Sequence, residues 1–124
     1  MAQPAPAVAT PDRLWQAQPG TAATTRYTAP GYASGSPYAA GPTALVRRMI
    51  VCNPTAAAVT YTLYLVPSGG TAAAANALCS AVSIAAGQSQ IFDWEQDLNP
   101  GDFLADLASA AASLTVTVSG VTFQ

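Results

Sequence analysis

The chain has 124 residues, half of them apolar, but only four basic residues, all Arg, and six acids, with no Lys and no His. Its 8% charged content, against about 25% in an average domain, is too thin for a nucleic-acid footprint. Without His or Lys there is no Ser-His-Asp or Cys-His arrangement, no Schiff-base lysine and no Walker-type phosphate grip.

Taken in chain order, residues 1–43 differ from the rest. They hold seven of the ten prolines with Gly, Ala, Ser and three of the five tyrosines, and no helical or strand period persists. Such a segment buries too little apolar area to offset its ordering entropy alone. It is expected to be an extended arm, polyproline-like in places and ordered where it lies on a partner. Leu14 and Trp15 are the expected plug for a neighbour's groove. The alternative is that Trp15 folds back on its own domain. Tyr27, Tyr32 and Tyr38 are similar footholds, and Gly31–Pro42 reads as a loop. The start, Met-Ala-Gln-Pro-Ala-Pro, has neither the basic residues nor the apolar run of a secretory signal, so folding in the cytoplasm is expected.

From Ala44 the pattern becomes short strands separated by turn residues. Ala44–Cys52 is a β-rich run ended by Asn53-Pro54. Val59, Tyr61, Leu63 and Leu65 alternate with Thr60, Thr62 and Tyr64, the signature of a half-buried strand, closed by Pro67-Ser68-Gly69-Gly70. Leu78 to Ile84 and Gln90 to Trp94 are further strands. Thr71–Ala77 reads as one helical turn or a loop. Asn99-Pro100-Gly101-Asp102 is a turn, Phe103–Ala112 reads as a strand, and Leu114, Val116 and Val118 begin the last one. Parity shifts there at Gly120, a candidate bulge. The expected architecture is all-β: one antiparallel β-sandwich over 44–124, with a jelly-roll order as one form it can take, preceded by the arm and loop of 1–43. No apolar run reaches the roughly 18 residues of a bilayer-spanning helix, so no membrane partner is expected.

The charges are unevenly placed. Arg13, Arg26, Arg47 and Arg48 lie in the first 48 residues with Asp12, and Asp93, Glu95, Asp97, Asp102 and Asp106 lie in the last third. These can pair between subunits, or be solvated loops and local ion pairs that contribute little. Adjacent Arg47 and Arg48 should point to opposite faces of a strand, with an intersubunit salt bridge as the functional reading. Asp93, Glu95 and Asp97 weigh as a solvated loop end, ahead of a calcium-type site and far ahead of paired-carboxylate glycoside hydrolysis. Cys52 and Cys79 fit no metal spacing. They read as two free buried thiols, with a disulfide as the alternative if their strands are neighbours. Neither a catalytic site nor a cofactor is expected.

Tyr27-Thr28-Ala29-Pro30, Ala44-Leu45-Val46-Arg47 through Val51-Cys52-Asn53, and Thr62 to Pro67 followed by Gly69-Gly70-Thr71 resemble small β-sandwich proteins of tailed bacteriophages. So do Pro100 to Leu104 and Ser113 to Gly120. The likeness covers roughly residues 25–124 and departs at the Gly/Pro/Tyr-rich insertion of 31–43. The resemblance implies a non-enzymatic virion component, a head decoration or a head or tail spike or fibre, assembled in the host cytoplasm. Composition points the same way. A small domain exposes much of its surface, and where Ala, Thr and Ser stand in for charge, other subunits are expected to cover it. The expected partners are the chain itself, as a trimer or higher oligomer, and other virion proteins such as the major capsid or a tail or portal component. The candidate partner-binding residues are Leu14, Trp15, Tyr27, Tyr32, Arg47 and Arg48. A rival is a receptor- or glycan-binding module of a phage fibre, using Tyr61, Tyr64 or Trp94; an enzyme accessory domain is a weaker third.

Overall fold

The computed structural model describes residues 8–32, 34 and 40–123. Among these, β1 (Ala9–Ala17), β2 (Thr24–Thr28), β3 (Ala44–Cys52), β4 (Val59–Val66), β5 (Ala77–Ile84), β6 (Ser89–Leu98), β7 (Phe103–Ala108) and β8 (Thr115–Phe123) follow in order, with one 3-10 turn at Ala74–Asn76. β1 pairs with β8, β2 with β7, β3 with β6 and β4 with β5, all antiparallel. The chain is thus a single long hairpin, rolled so that β3 also meets β8 and β4 also meets β7. Two four-stranded sheets result, sheet A in the order β1-β8-β3-β6 and sheet B in the order β2-β7-β4-β5. This is a β-sandwich with the jelly-roll strand order.

The core between the sheets follows the alternation. Val46, Met49, Val51, Val116 and Val118 of sheet A meet Tyr61, Leu63, Ile84, Leu104 and Ala108 of sheet B, all buried. Burying a side chain of this size contributes about 1.5–3 kcal/mol. Fully buried Asn53 closes the β3–β4 corner with all its amide groups engaged. Its Nδ2 donates to the carbonyls of Ala57 and Ile84, both at 2.8 Å, and its Oδ1 accepts from the N–H of Thr55 at 3.0 Å and its hydroxyl at 2.7 Å.

The expected division at residue 43 is corrected by β1 and β2. They close the same side of sheets A and B respectively, so residues 9–28 belong to the sandwich. Proline richness did not prevent this, because Pro11 sits in an edge strand, where a missing N–H need not break a ladder. β6 is also longer than expected. It runs to Leu98 because Phe92, Trp94, Gln96 and Leu98 all turn inward, while Asp93, Glu95 and Asp97 face out. Phe103–Ala112 is a strand only as far as Ala108.

A register dislocation crosses sheet A. Against β8, β1 carries one extra residue at Leu14 and β3 one at Arg47; against β3, β6 carries one at Trp94–Glu95. The extra residues therefore lie on the strands around Gly120, not at Gly120. Gly120 is where the backbones approach: a Cβ there would run into the carbonyl of Leu45.

Candidate association surfaces

Trp15 is 8% exposed and belongs to the core, with Leu14, Ala17 and Tyr27 packed against it half-buried. Within this chain Trp15 thus fills the groove of its own domain, the alternative to a plug for a neighbour. Its indole N–H is buried with no acceptor among the described residues. Burial pushes the Tyr27 hydroxyl above its ordinary pKa, and the negative charge of Asp12 adds to it. Tyr32 is exposed and donates its hydroxyl to the Gly41 carbonyl at 2.7 Å. Tyr38 lies outside the described residues.

The bulge at Arg47 overturns the opposite-faces expectation for the arginine pair. Both side chains are exposed on the outer face of sheet A, between inward-facing Val46 and Met49. Each meets an acid of β6 in the same chain. Arg48 Nε lies 2.6 Å and Nη2 3.3 Å from the two oxygens of Asp93, and Arg47 lies 3.9 Å from Glu95. The acids read as a loop end are thus an outward row on a strand, two of them matched by arginine across the ladder. No group of three His, Cys, Asp or Glu placed to hold a metal occurs among the described residues. Cys52 and Cys79 are both free and half-buried. They lie in different sheets, Cys52 on the outer side of β3 and Cys79 on the inner side of β5, and burial pushes the Cys79 thiol up.

The register separates the charges by face. Arg13, Arg47, Arg48, Asp93, Glu95 and Asp97, six of the ten, stand on the outer face of sheet A. Asp12 sits at the β1–β2 edge, Asp102 in the β6–β7 turn, and Arg26 and Asp106 pair internally. The outer face of sheet B carries no ionised group among the described residues. By alternation with core residues Tyr61, Leu63, Leu104 and Ala108, it presents Thr25, Thr28, Thr60, Tyr64, Ser83, Phe103 and Leu107, with Thr62 and Ala105 buried among them.

A second feature is a cleft of about 440 Å³ at the side where edge strands β5 and β6 leave the two sheets uncovered. Met49 and Leu63 line it with Leu78, Cys79, Phe92 and Trp94, and the last two rings meet edge to face at 6.5 Å. Leu78 is 39% exposed and neighbouring Ile91 53%. Tyr61, by contrast, is fully buried and unavailable to any ligand.

The sequence reading missed Asp106. It is completely buried, accepting from Arg26 Nε at 2.8 Å and from the Tyr61 hydroxyl at 2.8 Å. The available signal was its place between inward-facing Leu104 and Ala108, where an acid needs a partner.

No family model and no curated protein matches the chain. Among solved structures, a chain in the structure of infectious bursal disease virus, Gx strain, is similar at 14% identity and a TM-score of 0.43. The likeness covers 95% of this chain and 31% of that one, so this chain spans about a third of its length.

Proposed function

We propose that the chain is a non-enzymatic structural subunit of a tailed-bacteriophage virion. In this reading it is a head-decoration or head or tail spike protein that packs against copies of itself and against other virion proteins, assembled in the host cytoplasm. The observation that carries the reading is the separation of charge: six of ten charged groups on one outer face, and none on the other among the described residues. An antiparallel sheet with a solvated face normally shows polar, charged positions there. A Thr/Ser face with half-buried Phe103, Leu107 and Tyr64 lets a second protein approach without desolvating ions or meeting like charge. Fold-level analogy agrees, since jelly rolls build viral shells. The anchoring first assigned to residues 1–43 narrows, because β1 and β2 complete the sandwich.

A receptor- or glycan-binding role is the second reading, favoured by Phe92 and Trp94 in the open cleft. Lectins also use this fold. Co-sedimentation of the labelled full chain with phage particles lacking it, alongside a glycan array, separates the two. Particle association that survives Trp94→Ala, with no glycan bound, supports the structural reading. Glycan binding lost in Trp94→Ala, without particle association, overturns it.

A further inference from the structure

Residues 8–28 are held by strands that come much later in the chain. β1 bonds only to β8 and β2 only to β7, and both lie on one side of the sandwich. Without them, β8-β3-β6 over β7-β4-β5 is still a contiguous double sheet, but with Trp15's place in the core open. The segment therefore needs a body to dock on, and every copy offers the same groove.

The connection permits more than one choice of body. The Thr43 hydroxyl donates to the Pro30 carbonyl at 2.6 Å although the two are 13 positions apart. A twelve-residue stretch of sequence joins them. At roughly 3.3–3.6 Å per residue, its contour far exceeds what closing its own fold requires. We infer that in the assembled state residues 8–28 are exchanged between copies, the β1–β2 segment of one subunit seating on β8 and β7 of the next. This rests on the reading of the chain as a self-associating subunit.

Outside the connection, where the Tyr32 hydroxyl donates to the Gly41 carbonyl, the contacts are the same in both forms, so local concentration largely decides between them. In an isolated chain the tether holds its own segment at an effective concentration in the millimolar range, which favours the closed form. Where outer faces already hold copies side by side, a neighbour's groove is comparably close, and exchange adds linkage between subunits without any new contact. The Arg26–Asp106 pair fixes register in either case, because a misplaced segment would leave a fully buried carboxylate unmatched.

Gln16 and Thr117 provide the test. They are register partners whose exposed side chains are hydrogen-bonded at 3.2 Å. The full chain carrying Gln16→Cys and Thr117→Cys, with Cys52→Ser and Cys79→Ala, is oxidised dilute, where an intrachain disulfide at 12.5 kDa shows that β1 seats on β8. It is then refolded and oxidised at rising concentration beside a Gln16→Cys single variant, with light scattering on the unoxidised protein. The expected result is a covalent species at twice the chain mass or more, growing with concentration and absent from the single variant. Only intrachain disulfide in a protein that light scattering finds oligomeric overturns exchange and leaves self-association standing. An equal dimer yield from the single variant also overturns it. A monomer by light scattering at every concentration overturns both.

Discussion

Arg26 Nε lies 2.8 Å from Asp106 Oδ1, joining β2 to β7, while the other oxygen of the same carboxylate accepts the Tyr61 hydroxyl of β4. Asp106 is entirely buried and Arg26 only 19% exposed, so the pair has little water to fall back on. Removing one member of a buried pair leaves an uncompensated charge, at a cost of about 3–5 kcal/mol. Arg26→Ala should lose that much in chemical denaturation, and Tyr61→Phe only about 1 kcal/mol, the net value of one hydrogen bond. Equal small losses in both variants would contradict a buried ionic link.

Alkali should destabilise the protein, and Tyr61 supplies a principal reason. Burial, then the negative Asp106 beside it, raises its phenol far above the ordinary 10.0. Burial also raises the Cys79 thiol above 9.0. The folded state keeps these protons where the unfolded chain releases them. Stability from them is therefore complete below the unfolded values and falls as pH rises past them, at about 1.4 kcal/mol per pH unit for each group. Denaturation midpoints from pH 7 to 11 should be level and then fall, and Tyr61→Phe should flatten the fall. A fall of unchanged steepness in Tyr61→Phe would assign the effect elsewhere.

Trp15 should behave as a core residue despite its place near the chain start. Trp15→Ala is expected to cost about 3–5 kcal/mol, as for a large buried aromatic. Val8, 66% exposed, should tolerate alanine with no measurable loss. A near-neutral Trp15→Ala would mean that β1 does not hold the sandwich closed.

Gly120 should accept no side chain. A methyl group there meets the Leu45 backbone, which cannot swing aside as a side-chain tip would. Overpacking of this kind costs about 1–3 kcal/mol, so Gly120→Ala should lower the melting temperature by several degrees. Arg48→Ala, which breaks only the exposed pair with Asp93, should melt like the parent.

What the sequence made legible follows from how far each signal is local. β3 and β4 announce themselves because β-branched and aromatic residues run or alternate without interruption. β1 and β2 do not, since their apolar residues are few and their partners lie about 100 positions away for β1 and about 80 for β2. The inward row of Phe92, Trp94, Gln96 and Leu98 was readable, but the acids between drew the reading towards a loop. That both Arg47 and Arg48 face outward depends on a bulge that only the neighbouring strands define. The pairing of Arg26 with Asp106 joins residues 80 apart and has no local trace.

In the proposed assembly the outer face of sheet B, uncharged among the described residues, is covered by another copy. Sedimentation equilibrium of Thr25→Glu/Ser83→Glu, two exposed sites on that face, tests it directly against Gln16→Glu on the charged face. The parent and Gln16→Glu should associate alike with rising concentration, and the double variant should remain at 12.5 kDa with an unchanged melting temperature. Association of the double variant equal to the parent's, or a parent that stays monomeric throughout, would contradict it.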